Sequence, residues 1–167
     1  DTVMKVIEHN KDTTQTWKKG INAYSDMTEE EFFEYFNINL QAEQDCSATA
    51  SEPKVYNDEP PKSFDWRNYT HHYIDVVTPV KNQGSCGSCW TFSTVGAMES
   101  HYILHTGKFG NFSEQELVDC AGAYDTHGCK GGLPSYAFNF IRDYDLSTED
   151  KYPYHAVDQK CNYTRSW

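Results

Sequence analysis

"KNQGSCGSCW", residues 81–90, places two cysteines three positions apart between a glycine-rich approach and a tryptophan. A redox pair of this kind would precede a helix early in a strand–helix–strand repeat, which this chain lacks. A zinc site would need a second closely spaced pair, whereas Cys120 and Cys129 are nine positions apart. The spacing therefore favours a nucleophilic thiol, and it leaves a structural disulfide, a redox pair and a metal site open as alternatives.

The residues that follow Cys89 predict a long helix. Residues 89–105 contain no proline, and Gly107 is a typical residue for the end of a helix. Apolar side chains recur near one face of this predicted helix: Phe92, Val95, Met98, Tyr102 and Ile103. A helix N-terminus stabilises a thiolate. Gln83 and the backbone N–H of Cys89 are candidate donors to an oxyanion, as acyl transfer by a thiolate requires.

Three further helix starts are visible in the sequence. "TEEEFFEYFN" begins with Thr28 and has Glu31 three positions later, which predicts a capping box. Ser113 and Glu116 in "SEQELVDC" predict a second capping box. Pro134, after a double glycine, suits the first position of another helix.

Composition and charge narrow the functional class. Fourteen basic and twenty-five acidic side chains give a net charge of -11, which argues against nucleic acid or an anionic membrane as a partner and suits an acidic compartment. No apolar run is long enough for a membrane span. Six cysteines and three glycosylation sequons, at Asn68, Asn111 and Asn162, predict passage through the secretory route. "DTVMKVIEHN" has no apolar core, so we expect a signal peptide upstream of Asp1.

Four motifs together resemble the papain family of cysteine peptidases. They are "SFDWR", "QGSCGSCW", "GCKGG" at 128–132 and "YPY" at 152–154, in the order expected for that family. The resemblance implies an α+β papain-like fold, of which this chain has mainly the helical left domain and the end of the propeptide, without the barrel-like right domain. The implied segments are propeptide 1–41, mini-chain-like segment 42–49, linker 50–59 and truncated left domain 60–167.

The resemblance also implies roles for individual residues. Cys89 is expected to be the nucleophile and Gln83 the oxyanion-hole donor. Gly132 is expected to pair its backbone with the substrate, where a side chain would block close approach. The implied substrate-binding set is Gly87, Gly131, Gly132, Leu133, Pro134 and Thr49. The implied disulfides are Cys86–Cys129 and Cys120–Cys161, and neither a metal nor a cofactor is expected.

Two segments before the left domain extend the resemblance. "KGINAYSDMTEEEF" resembles the family's inhibitory propeptide, with Tyr24 where phenylalanine is usual, and implies an intramolecular inhibitor. "AEQDCSAT", residues 42–49, is similar to a mini-chain that an aminopeptidase branch of the family excises and keeps by a disulfide. Cys46 would then be the tether to a cysteine in the missing half. Thr49 would be the terminal carboxylate that meets the free amino group of a peptide substrate.

The histidine and asparagine that papain-like catalysis needs are expected roughly 130–150 residues beyond the nucleophile. The chain ends at Trp167, well short of that distance. Of its seven histidines, His101 and His105 are expected on the solvent face of the helix, and His127 is expected to be a solvated loop residue. We therefore expect the chain alone to be inactive and the whole product to be a lysosomal, vacuolar or secreted aminopeptidase.

Two other classes stay open at this point. A non-catalytic protein could use its propeptide-like segment to inhibit related peptidases. A thiol oxidoreductase could use Cys86 and Cys89 as a redox pair, and a disulfide between Cys86 and Cys129 would exclude it.

Overall fold

The computed structural model describes residues 2–36, 57 and 59–163. Five α-helices and one small hairpin make up the regular structure of these residues: α1 (Thr2–Lys11), α2 (Glu29–Tyr35), β1 (Thr70–His71), β2 (Ile74–Asp75), α3 (Cys89–Thr106), α4 (Glu114–Cys120) and α5 (Pro134–Asp143). Short 3-10 turns cover Trp66–Asn68, Ala121–Tyr124 and Gly128–Lys130. Helices dominate beside a two-stranded sheet, which agrees with the predicted α+β class. Both Cys46 and Thr49 lie outside the described residues.

Helix α2 begins with the predicted capping box. Glu31 N donates to Thr28 Oγ1 at 3.2 Å, and Thr28 N donates to Glu31 Oε2 at 2.7 Å. The capping box predicted at Thr28 and Glu31 is therefore confirmed.

The aromatic side chains around α2 contact one another instead of lying singly in solvent. The ring of Tyr24 lies 5.1 Å from that of Phe36 and 6.0 Å from that of Phe32, measured between centroids.

Helix α3 begins and ends close to the predicted positions. It runs Cys89–Thr106 and is closed by Gly107, whose φ of 66° lies in the left-handed region that favours glycine. The predicted apolar face was wrong in part, because Phe92, Met98 and Tyr102 are only half-buried. Its fully buried face is partly polar and consists of Trp90, Thr91, Thr94, Val95, Glu99 and Ile103.

Thr91 and Thr94 of α3 can be buried because each hydroxyl donates a hydrogen bond to a backbone carbonyl three or four residues earlier. Thr91 Oγ1 donates to Ser88 O at 2.9 Å, and Thr94 Oγ1 donates to Trp90 O at 2.7 Å. A search for apolar spacing alone therefore misplaces the core face of this helix. His101 and His105 are exposed, as predicted.

The capping box predicted at α4 is only half formed. Ser113 Oγ accepts from Glu116 N at 3.0 Å, as expected for a helix cap. The Glu116 carboxylate, however, accepts from Ser147 N at 2.7 Å, and Ser113 N donates to Ser147 O at 3.0 Å. The segment around residue 147 thus takes both groups that a capping box would pair, and it is thereby fixed to the start of α4.

The core lies where α3 packs against α4 and α5. Helix α5 has Pro134 at its first position, as predicted, and its buried residues Ala137 and Phe140 face the central helix. The buried apolar cluster comprises Trp90, Val95, Leu117, Ala121, Ala137 and Phe140. Trp90 directly follows Cys89, so the start of α3 is anchored in this core.

The two strands form an antiparallel hairpin, with Thr70 opposite Asp75 and His71 opposite Ile74. Its two turn residues, His72 and Tyr73, have φ values of 49° and 66°, the left-handed turn conformation that suits a two-residue hairpin. Within the part of the chain that the structure describes, no helix is both long and apolar enough to cross a membrane.

Candidate active site

The two cysteines of the Cys-Gly-Ser-Cys stretch have different partners. Cys86 is buried and forms a disulfide with Cys129, while Cys89 is exposed and carries a free thiol. A second disulfide joins Cys120 to Cys161. These are the pairings that the family resemblance implies. The interpretation of Cys86 and Cys89 as a redox pair is wrong, because Cys86 is already bonded elsewhere.

The disulfide joins the loop before α3 to the glycine-rich loop 128–132. Gly87 N donates to Cys129 O at 2.9 Å, so the two loops are also connected by a backbone hydrogen bond. Gln83 Nε2 donates to Cys86 O at 2.8 Å. A side-chain amide carries two N–H bonds, so Gln83 keeps one donor for a ligand while the other fixes its position. The candidate oxyanion donor is therefore held by the residue that forms the disulfide.

Cys89 is the first residue of α3, and Ser88 is the cap residue before it. The first N–H groups of an α-helix have no partner within the helix, and they give this end a partial positive charge. Thr91 N donates back to Ser88 O at 2.9 Å, which fixes the first turn. The exposed thiol of Cys89 thus lies at the end of the helix that carries this partial positive charge.

Trp90 explains why residue 132 is a glycine. The indole Nε1 donates to Gly128 O at 3.1 Å. A Cβ on Gly132 would lie 2.8 Å from Trp90 Cδ2 and 3.2 Å from Thr126 Cβ. The family resemblance implied that this glycine admits a substrate, whereas the structure gives an interior reason: a side chain at residue 132 would have no room beside Trp90, which anchors α3.

Three further predicted binding residues, Gly131, Leu133 and Pro134, lie in or directly after the glycine-rich loop 128–132. Gly131 has a φ of 116°, which favours glycine, and its carbonyl accepts from His127 N at 2.8 Å. Leu133 and Pro134 are the cap and first residue of α5, and both are half-buried. His127 is exposed, with its Nε2 3.9 Å from Asp125 Oδ1. Among the described residues no hydrogen bond joins a histidine to Cys89.

A buried ion-pair cluster that was not predicted from the sequence involves Lys81, which belongs to the loop 81–88 before α3, here called the site loop. Lys81 Nζ lies 2.7 Å from Glu99 Oε1 and 2.8 Å from Glu114 Oε1. Thr78 Oγ1 donates to the other oxygen of Glu99 at 2.7 Å. Both glutamates are buried, so this single ammonium, two residues before Gln83, serves two carboxylates.

Burial and the ion pairs act in opposite directions on the pKa values of Lys81 and Glu114. Burial by itself would lower the pKa of Lys81, but the hydrogen bonds to Glu114 and Glu99 outweigh it and raise that pKa. Burial raises the pKa of Glu114, and the hydrogen bond and charge of Lys81 offset that rise only in part. Lys81 therefore stays charged and holds the loop that leads to Gln83.

Tyr154 is a second residue that the sequence analysis did not connect with the site. "YPY" was used there only as a family marker. In the structure the hydroxyl of Tyr154 contacts both Ser88 and Gln83, on either side of the disulfide-bonded Cys86. These contacts span 66 and 71 positions in the chain, which no local pattern reveals.

Within the described residues, a polar contact connects the propeptide-like region with the loop that carries Gln83. Asn82 Nδ2 lies 3.4 Å from Tyr24 Oη, and Asn82 Oδ1 accepts from Gly84 N at 2.9 Å. A phenylalanine at position 24 would lack the hydroxyl that makes the first contact. The aromatic segment around α2 is thereby connected to the loop that carries Gln83.

The described residues offer exposed glycosylation sequons but no cluster of metal ligands. In residues 2–36, 57 and 59–163, no three His, Cys, Asp or Glu side chains group as a metal ion would require. Asn68, Asn111 and Asn162 are all exposed, so each side chain can be reached from solvent.

Comparison with known proteins identifies the family. The model described as "Papain family cysteine protease" matches residues 60–167. The chain belongs to the papain family of cysteine proteases. It is similar to pro-cathepsin H of Bos taurus, with 49% identity over 153 residues, which is 90% of this chain and 44% of the relative.

Other papain-family proteins extend this similarity to plants and to solved structures. The thiol protease aleurain of Arabidopsis thaliana is 46% identical over 151 residues, covering 89% of this chain and 40% of the relative. The structure of digestive procathepsin L 3 from Tenebrio molitor larval midgut superposes with a TM-score of 0.79 at 37% identity, covering 99% of this chain and 52% of that one. The chain thus spans about half the length of the papain-family proteins it matches.

Proposed function

We propose that this chain is the propeptide end and the helical half of a cysteine peptidase similar to cathepsin H, with Cys89 as its nucleophile. The observation that carries the proposal is a free, exposed thiol at the N-terminus of α3, three residues after Cys86, whose carbonyl accepts from Gln83 Nε2. The other cysteine of the motif is in a disulfide, so Cys89 alone is available for chemistry there.

The proposed reaction is acyl transfer through a thioester. The Cys89 thiolate attacks the carbonyl carbon of a peptide bond, and the carbonyl oxygen becomes an oxyanion. That oxyanion accepts hydrogen bonds from Gln83 Nε2 and from the backbone N–H of Cys89. The carbon–nitrogen bond then breaks, the amine takes a proton from a general acid, and water hydrolyses the thioester to regenerate the thiolate. Gln83 can serve here because Cys86 O already fixes its orientation.

The general acid and base of this reaction is proposed to be a histidine outside this chain. This assignment is supported by the exposed positions of His101, His105 and His127 and by the family's histidine spacing. By itself the 167-residue chain is then inactive. The histidine and asparagine would come from a right domain that completes the cleft.

The segment assignments are part of the same proposal. Residues 1–41 are the end of an inhibitory propeptide, residues 50–59 a linker, and residues 60–167 the left domain. The contact of Tyr24 with Asn82 supports the inhibitory role, because it connects the propeptide to the loop of the oxyanion donor. Similarity to pro-cathepsin H and to solved procathepsins supports an intramolecular propeptide.

Residues 42–49 are proposed to act as the mini-chain of an aminopeptidase. After cleavage behind Thr49, its carboxylate would bind the free amino group of a peptide substrate, and Cys46 would keep the segment attached. We propose a lysosomal or vacuolar location, supported by the cathepsin H and plant relatives and by the net charge of -11. Glycans at the three exposed sequons would fit the secretory route.

Hydrolysis by the full-length protein after acid activation tests this proposal. We expect it to release a fluorophore from an amino acid amide with a free amino group much faster than from the same amide with a blocked one. Cys89→Ala should abolish both reactions, whereas a variant in which cleavage behind Thr49 is blocked, so that no terminal carboxylate forms there, should hydrolyse both amides at similar rates. Equal rates in the wild type would contradict the aminopeptidase assignment, and activity in Cys89→Ala would contradict the nucleophile.

A further inference from the structure

The hydroxyl of Tyr154 is bonded at two points of the proposed site. Tyr154 Oη donates to Gln83 O at 2.7 Å, and it lies 2.5 Å from Ser88 Oγ. Gln83 carries the proposed oxyanion donor, and Ser88 is the residue from which α3 and Cys89 begin. One phenol therefore connects the backbone of the donor with the residue before the nucleophile.

The direction of these two hydrogen bonds is fixed by the number of protons. A phenol has one proton, and Gln83 O can only accept, so Tyr154 donates to that carbonyl. Ser88 Oγ then donates its proton to Tyr154 Oη, at 2.5 Å, in preference to Cys86 O, which lies 3.5 Å away. Burial raises the pKa of Tyr154, so the hydroxyl keeps the proton that it donates. The chain Ser88–Tyr154–Gln83 is thus satisfied from end to end.

Tyr154 is itself held on two sides. Its ring meets that of Phe92, one turn into α3, in an edge-to-face contact with centroids 5.0 Å apart. Its backbone N donates to Glu149 Oε1 at 2.8 Å. These two contacts fix the ring and the backbone of Tyr154. Its hydroxyl can therefore hold Ser88 Oγ and the Gln83 carbonyl in place.

We infer that Tyr154 is a positioning residue, which sets the distance between the oxyanion donor Gln83 and the nucleophile Cys89 through its hydroxyl. This inference rests on the proposed function of those two residues and assigns Tyr154 no contact with substrate. Positioning of this kind acts on the transition state more than on substrate binding, because the oxyanion forms only as the bond is attacked.

The test compares Tyr154→Phe with Tyr152→Phe in the full-length, activated protein. Both changes remove one half-buried hydroxyl and keep the ring. Tyr152 Oη is bonded to Asp119 Oδ2 at 2.9 Å and to Asn162 N at 3.3 Å, near the second disulfide and away from the site loop. Tyr152→Phe is therefore a matched control for the loss of a half-buried tyrosine hydroxyl.

We expect Tyr154→Phe to lower kcat by about 10-fold to 100-fold with KM within about twofold, as misplacement of a catalytic group does. Tyr152→Phe should leave both constants nearly unchanged even where it lowers the melting temperature equally. Ser88→Ala should lower kcat as well, and the double variant with Tyr154→Phe should be little worse than either single one. Equal kcat values for Tyr154→Phe and Tyr152→Phe would overturn the inference.

Amide hydrogen exchange over residues 81–92 separates this inference from the proposed function. Faster exchange of that segment in Tyr154→Phe, and not in Tyr152→Phe, supports the positioning role even if the wild type hydrolyses no peptide. Unchanged exchange in both variants counts against it whatever the wild type hydrolyses. If the wild type hydrolyses no peptide and residues 81–92 still exchange faster in Tyr154→Phe, only the peptidase proposal is contradicted.

Discussion

Gln83 Nε2 donates to Cys86 O at 2.8 Å, so the candidate oxyanion donor is held by a residue whose sulfur is bonded to the glycine-rich loop. The disulfide therefore does two things: it stabilises the fold, and it fixes a proposed catalytic side chain. The two effects can be separated because the chain has a second disulfide of nearly equal span.

Removal of the Cys86–Cys129 disulfide should impair catalysis more than removal of Cys120–Cys161. The two bonds close loops of 43 and 41 residues, so chain entropy predicts a similar stability loss of about 4 kcal/mol for each double alanine variant. Only in the first variant does residue 86, whose carbonyl accepts from Gln83 Nε2, lose its covalent bond to residue 129. We expect similar midpoints of chemical denaturation, with kcat much lower for the first. A similar loss of kcat in both would show that the disulfide does not position Gln83.

Lys81→Met should strongly destabilise the protein. The change leaves the buried carboxylates of Glu99 and Glu114 without their shared ammonium, and breaking a buried pair in this way costs about 3 kcal/mol or more. Lys108→Met, at an exposed position, is the control and should change the unfolding free energy by less than about 0.5 kcal/mol. Urea denaturation measures both, and equal stabilities would refute the importance of the cluster.

Gly132→Ala should be costly, and Gly122→Ala should not. The new methyl group at 132 would lie 2.8 Å from the Trp90 ring, and overpacking of this kind costs about 1–3 kcal/mol. No atom lies within 4 Å of the same position at Gly122, so alanine there is accommodated. Because Trp90 follows Cys89, the first variant should also lower kcat. Wild-type stability and activity for Gly132→Ala would show that the tryptophan moves freely.

Stability should rise as the pH falls from neutral toward 5, in part through Glu116. Burial raises the pKa of this carboxyl above its usual 4.5, although hydrogen bonds from Ser147 oppose the rise. A carboxyl with a raised pKa in the folded state binds its proton more tightly there than in the unfolded chain. Its stabilising contribution is complete below about pH 4.5 and is lost as the pH rises through the raised value. Burial also raises the pKa values of Glu114 and Glu149, so these carboxyls contribute to the pH dependence with the same sign as Glu116.

Glu116→Gln tests this effect by making the side chain neutral at every pH. We expect a higher melting temperature than the wild type at pH 7 and little difference at pH 4.5. Glu30→Gln, on the exposed first turn of α2, is the control and should shift neither value. If the pH dependence of Glu116→Gln equals that of the wild type, Glu116 does not contribute to it.

The features that sequence predicted correctly depend on residues within about four positions of one another. The capping box of Thr28 and Glu31, the helix end at Gly107 and the helix start at Pro134 are of this kind. The free thiol at Cys89 was also predictable, because its flanking residues carry the family motif.

The features that sequence missed depend on contacts between distant segments. Lys81 and Glu114 are 33 positions apart, and Tyr154 and Gln83 are 71 apart. The capping box at α4 is only half formed for the same reason, because Ser147 N donates to the carboxylate of Glu116. Likewise, no spacing rule indicates that Gly132 faces Trp90.

The most direct test of the central claim is mass spectrometry of the acyl-enzyme. The full-length, activated protein is mixed with a peptide ester, quenched in acid within milliseconds and digested. The proposed nucleophile predicts the acyl mass on the peptide that contains Cys89, at a level that rises and decays with turnover. Hydrolysis without an acyl group on Cys89, or hydrolysis that persists in Cys89→Ala, would contradict it.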